Sequence, residues 1–127
     1  MKKKVIVLVL ALCATAAGTW ARQVKGNGNV DEIRTIDVVA SRFQFEPATI
    51  TVAEGEHVRL RLRSADGTHG FAIKALRLKA LIPKAGETVT VDVAADEAGT
   101  FDVTCSEYCG TGHGAMKGRL VVLPRGK

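Results

Sequence analysis

A chain of 127 residues, 46% hydrophobic and 24% charged, suits one domain with a single buried core and is short for two of ordinary size. Its formal net charge of +5 falls to +2 without Lys2, Lys3 and Lys4. The basic residues are not clustered with interleaved aromatics, so the charge carries no case for nucleic-acid binding.

The N-terminus "MKKKVIVLVLALCATAAGTWAR" runs from lysines through an apolar stretch beginning at Val5 to small residues, the order of a secretory signal. Residues 1–21 are therefore expected to be a signal peptide, cut after Ala16 or Ala21. The competing reading is a short membrane anchor, because Val5 to Ala21 is uncharged and Trp20 sits where an interfacial aromatic would. That stretch is shorter than the about 20 residues of a full span. Leu12 precedes Cys13 where lipoprotein signals carry a small residue, which argues against lipidation. The expected location is periplasmic or otherwise exported, with membrane association only if the segment stays uncleaved. In such an oxidising compartment paired cysteines ordinarily become disulfides.

Residues 22–29, "RQVKGNGN", read as a linker, and 30–127 as the domain. From there the pattern has period two. Short β-branched runs predict strands over 36–40, 49–52, 57–63, 71–74, 88–93, 100–105 and 118–123, separated by Gly-, Pro- and Asp-bearing turns. The fold class is all-β, an antiparallel sandwich or barrel. In "HVRLRLR", Val58, Leu60 and Leu62 face inward while Arg59, Arg61 and Arg63 form an outward row. That row reads as a solvated face or an edge guarded against aggregation, in preference to a docking stripe. His57 reads as exposed and idle. Further interior positions are Ile36, Val38, Phe43, Phe45, Ile50, Val52, Phe71, Ile73, Val89, Val91, Val93, Phe101, Val103, Leu120 and Val122. Residues 74–82, "KALRLKALI", suit a short helix or a strand and are assigned to irregular strand and loop.

Catalytic groups are not legible: the sequence offers no triad, no paired acid and base carboxylates, and "GNGN" lacks the strand-to-helix context of a nucleotide loop. The chemistry gathers instead in "CSEYCGTGHGAM", Cys105 to Met116, a loop between two expected strands. Four readings compete. A disulfide is allowed by the compartment but leaves His113 and Met116 unexplained. Structural zinc with two Cys and two His has no use for Met116. One copper held by Cys109, His113, Met116 and an upstream histidine leaves Cys105 idle. Two coppers bridged by both thiolates use every group, with a backbone carbonyl between the cysteines filling a weak position. His69 in "DGTHGF" is the candidate for the upstream histidine, since His57 reads as exposed and His113 is already in the loop.

The spacing of Cys109, His113 and Met116 resembles the copper loops of cupredoxins. Residues Gly99, Phe101, Cys105, Ser106, Glu107, Cys109, Gly110, His113 and Met116 match the binuclear copper A (CuA) motif of cytochrome c oxidase subunit II, and Asp66, His69 and Phe71 match that family's first-histidine segment. The resemblance covers about Ile36 to Leu123. It implies a cupredoxin-like Greek-key sandwich holding two copper ions, with Cys105 and Cys109 bridging, His69 and His113 terminal, Met116 weakly bound and Glu107 giving its carbonyl. The Glu107 side chain is implied as a magnesium ligand at a contact with the oxidase catalytic subunit. The implied activity is one-electron transfer from a cytochrome c or small redox protein to an oxidase-type acceptor, without catalysis by the domain alone. Two alternatives are an anchored subunit II and a copper storage or delivery protein. The family's electron-accepting tryptophan has no counterpart in the expected domain, which leaves Phe45 and Tyr108 as candidates. Asp66 and Ser106 are expected hydrogen-bond partners around the site.

Overall fold

The computed structural model describes residues 33–84 and 86–126. The expected targeting segment and linker, residues 1–29, lie outside them. Among the described residues no helix is long and apolar enough to cross a membrane.

Among the described residues nine strands follow in chain order: β1 (Arg34–Ser41), β2 (Gln44–Glu46), β3 (Thr49–Ala53), β4 (His57–Ser64), β5 (His69–Ile73), β6 (Leu78–Ile82), β7 (Thr88–Ala94), β8 (Gly99–Thr104) and β9 (Lys117–Leu123). They form two sheets, ordered β2-β1-β4-β7 and β3-β9-β8-β5-β6. The seven expected strands are present, and β2 and β6 are additions. β2 has three residues, too few to show a period. The ambiguous 74–82 segment divides at Arg77, whose φ of 52° ends a 3-10 turn over Lys74–Leu76 and turns the chain back. β6 then pairs antiparallel with β5, Leu78 opposite Ile73 and Ile82 opposite His69.

Most neighbouring strands pair antiparallel as expected, with two exceptions: β1 runs parallel to β4 and β3 parallel to β9. Side chains alternate in the same way in either direction, so a hydrophobic period fixes faces and leaves strand direction open. The arginine row is also corrected in one respect. β4 lies inside its sheet, flanked by β1 and β7, and is no edge. Arg61 meets Asp37 across to β1 and Arg59 meets Asp92 across to β7, each at 2.7 Å and each directly opposite in register. The row is a solvated face laced by cross-strand ion pairs, and His57 at the start of β4 is exposed as expected.

Between the sheets, Val58, Leu60 and Leu62 are fully buried with Val38, Phe71, Ile73 and Leu120. Phe45 and Phe71 meet edge to face, centroids 5.6 Å apart. Ile36, Phe43, Val91 and Phe101 pack only partly against this core. Leu60→Ala is expected to lower the stability of the copper-free protein by about 2–5 kcal/mol, read as a lower urea midpoint.

The second sheet positions the site. β5 begins at His69, β8 ends one residue before Cys105, and β9 begins one residue after Met116. These three strands are neighbours, with Ala72 opposite Thr104 and Thr104 opposite Lys117, so all three chain ends meet at one end of the sheet.

Candidate metal centre

His69 is fully buried as the first residue of β5. Its Nε2 lies 2.6 Å from Asp66 Oδ1. Asp66 also accepts the backbone N–H of Gly67 at 2.7 Å and of Arg42 at 2.9 Å. Burial pushes the Asp66 carboxyl up, but the hydrogen bonds from His69, Arg42 and Gly67 outweigh it and hold the group at about 2. An ionised carboxylate can only accept, so the shared proton sits on Nε2. Nδ1 is left buried without a hydrogen-bond partner among the described residues. A buried ring nitrogen with its lone pair unused, oriented by a carboxylate on the opposite nitrogen, is how proteins present histidine to a metal.

Cys105 and Cys109 are buried free thiols whose sulfurs stand 3.5 Å apart. A disulfide would bring them to about 2.0 Å. The donor atoms of His69, Cys105 and Cys109 all lie within 4.8 Å of one another. His113 Nδ1 is 3.8 Å and Met116 Sδ 3.7 Å from Cys109 Sγ. The Glu107 carbonyl oxygen is 3.0 Å from Cys105 Sγ, while its side chain is exposed. The structure thus brings together all six residues that the sequence singled out, Glu107 through its backbone. Burial pushes the Cys109 thiol up, and the adjoining Cys105 adds to the shift. A metal entering here must displace thiol protons, so its uptake strengthens as pH rises.

Local geometry shapes the loop. Cys105 N–H donates to the Met116 carbonyl at 3.3 Å, closing the loop's base, and Met116 N–H closes a 3-10 turn over His113–Ala115. Two glycines permit close approaches. A Cβ on Gly112 would enter the ring of Phe43. A Cβ on Gly70 would strike Ser106 Oγ and come within 2.6 Å of the Glu107 backbone nitrogen.

Sequence reasoning did not single out Arg42, whose Nε donates to the Cys109 carbonyl at 3.2 Å across 67 residues of chain, nor Gly70. A glycine directly after a candidate ligand, inside a strand, is the signal that could have found Gly70. Nothing comparable marks Arg42. Asp66 holds His69 as expected. Ser106 does not act as expected, for its Oγ is buried without a hydrogen-bond partner among the described residues. Of the two aromatic candidates, Phe45 belongs to the core, whereas Tyr108 is 74% exposed with its ring 5.8 Å from that of His113.

Two thiols, two imidazoles, a thioether and a carbonyl make a soft donor set that fits copper, and the unpartnered Nδ1 of His69 is the kind of vacancy a metal satisfies. Structural zinc would leave Met116 without a role. The profile of the Cupredoxin-like domain family matches residues 5–122. The chain belongs to that family. This cupredoxin-like domain is 33% identical over 89 residues to a cytochrome c oxidase subunit 2 of Thermus thermophilus, an alignment covering 69% of this chain. The chain spans 64% of that relative's length. Among solved structures it resembles the periplasmic domain of cytochrome oxidase subunit II of Bradyrhizobium japonicum, with a TM-score of 0.66 at 20% identity over 72% of this chain and 84% of that one. It also resembles auracyanin A, a blue copper protein of Chloroflexus aurantiacus, with a TM-score of 0.55 at 23% identity over 69% of this chain and 97% of that one. At these identities both likenesses speak for the fold.

Proposed function

We propose that this cupredoxin-like domain carries single electrons through a binuclear copper centre, taking them from a cytochrome c or small redox protein and passing them to an oxidase-type acceptor in the periplasm. The observation that carries the reading is the pair of buried thiols 3.5 Å apart, with a His69 ring nitrogen within 4.8 Å of both, and His113 Nδ1 at 3.8 Å and Met116 Sδ at 3.7 Å from Cys109. One thiol would serve a single copper; two at this separation suit two metals sharing both sulfurs. When bound, such a pair supplies a site that gains and loses one electron spread over both metals.

The chain's own groups prepare that exchange. His69 is locked by Asp66 from the opposite ring nitrogen, and Met116 is 1% exposed, so neither donor has room to reorient. Arg42 anchors the carbonyl of Cys109. A site whose ligands are held by packing changes shape little, which favours fast electron transfer. Tyr108, exposed and beside His113, offers the aromatic contact between this centre and a partner. The exposed Glu107 carboxylate can contribute to a magnesium position where a catalytic subunit docks, with the partner supplying the other ligands.

Copper titration of the domain is expected to reach two ions per chain, with electron paramagnetic resonance showing one unpaired electron coupled equally to two copper nuclei. Cys105→Ser is expected to reduce this to the hyperfine pattern of one nucleus. A single-copper pattern in the unaltered protein, or an unchanged spectrum in the variant, would overturn the binuclear reading. Exchangeable cuprous ion with no stable mixed-valence state would favour copper storage or delivery instead.

A further inference from the structure

Beside the metal centre lies a cavity of about 620 Å³, walled on one side by Cys105, His113 and Met116. Its rim carries Lys74 and Arg77 from the turn between β5 and β6, Lys79 from β6 and Lys117 from the start of β9. All four are exposed, and among the described residues no carboxylate lines the cavity. Charge elsewhere is arranged differently. Arg34, Arg59 and Arg61 are each paired with a carboxylate at 2.7 Å, whereas among the described residues none of the four rim cations has such a partner. Glu107 is exposed on the same loop, but it does not line this cavity.

We propose that this rim is the docking surface for the domain's electron-transfer partner, and that the partner is a redox protein with carboxylates around its cofactor edge. The proposal rests on the electron-carrier reading and adds the partner's charge. Four unpaired cations around the exposed side of a metal site set up a positive field that draws in an acidic surface and orients it with its cofactor towards His113. A small anion is a poorer occupant. The cations are spread over three segments of chain and each is exposed, so none is a buried polar group aimed at one bound ion. The step itself is simple: a reduced partner such as a ferrous cytochrome loses one electron and becomes ferric, the oxidised centre gains it, and no bond or proton is exchanged.

The test uses cytochrome c in two forms, native with its lysine-rich haem edge and succinylated so that those lysines become acidic. Stopped-flow mixing with the copper-loaded domain is expected to show faster reduction by the succinylated form at low ionic strength, by about tenfold or more. That advantage should fade as salt rises from about 10 mM to about 0.5 M. Nuclear magnetic resonance titration of the copper-free domain, independent of the metal, should place the succinylated form's shift changes on Lys74, Arg77, Lys79 and Lys117. The double variant Lys79→Glu with Lys117→Glu should lose both effects, while Arg63→Glu on the other sheet keeps them. A preference for native cytochrome, or a double variant that behaves like the unaltered protein, overturns the proposal. So does binding to phosphatidylglycerol vesicles in place of the succinylated form. If the copper-free domain binds the succinylated form through these residues but the loaded domain accepts electrons from neither, the docking surface stands and the electron-carrier reading falls.

Discussion

Gly70→Ala is expected to cripple metal uptake by adding one methyl group. The added Cβ would meet Ser106 Oγ, the Glu107 nitrogen at 2.6 Å and the Ser106 nitrogen at 2.8 Å. Two of these are backbone atoms, which cannot swing aside as a flexible side chain can. Gly70 is not among the glycines at positive φ, so alanine meets no conformational penalty and the effect is one of space alone. Residues 105–107 must therefore move off β5, and they include the Cys105 thiol and the Glu107 carbonyl that faces it. Overpacking of this kind costs about 1–3 kcal/mol, and more where backbone must shift. Ligand geometry has to hold within about 0.5 Å to keep a metal site productive. The expected result is a lower urea midpoint for the copper-free protein and copper affinity reduced about 10–100-fold. Gly114→Ala is the control, because nothing lies within 4 Å of the Cβ it adds. An unchanged copper titration in Gly70→Ala would refute the close approach.

Gly70 also marks how far the sequence could be read. Strand positions and inward faces were legible because β-branched alternation reports which side of a strand is dry, and Val58, Leu60 and Leu62 are fully buried accordingly. The clustering of candidate donors in the loop was legible because soft donors in one short stretch have little structural use apart from a metal. Strand direction was not, since β1 against β4 and β3 against β9 alternate identically whether parallel or antiparallel. Long-range supports of the site were also hidden. Arg42 looks like an ordinary residue before a strand, yet it donates to the Cys109 carbonyl, and Phe43, placed in the sequence only as an interior position, packs against Gly112. Such contacts depend on how two sheets stack, which no local pattern encodes. Ser106 shows the converse, because a hydroxyl in a metal loop invites a hydrogen-bonding role that the folded chain does not give it.

Asp66→Ala is expected to have the larger effect on stability, and its pH dependence separates it from an ordinary loss of packing. One carboxylate serves three donors: Nε2 of the fully buried His69, and the backbone N–H groups of Arg42 and Gly67. Removing it orphans all three, at about 1–3 kcal/mol for each donor that water cannot reach. Because Asp66 is partly exposed and its bond to Arg42 lies at the surface, a total of roughly 2–3 kcal/mol at neutral pH is expected, most of it from His69. Asp66 is held at about 2 in the folded protein against an ordinary 3.8, so on acidification the unfolded chain binds this proton first. The carboxylate's contribution is present in full above pH 3.8 and is lost as pH falls through about 2. Denaturation curves of the copper-free protein and the variant should therefore lie farthest apart at pH 7 and draw closer between about pH 4 and 2. Asp66→Asn keeps an acceptor oxygen for His69 but no titrating charge, so it should fall between the two at pH 7 and lack this acid-dependent limb. The same variants bear on the metal, because without Asp66 the His69 proton is free to move to Nδ1, the buried nitrogen otherwise without a partner among the described residues. Copper affinity should drop about 10–100-fold in Asp66→Ala. A variant that loses stability with no acid-dependent convergence and keeps its copper affinity would show that Asp66 acts only as a turn residue.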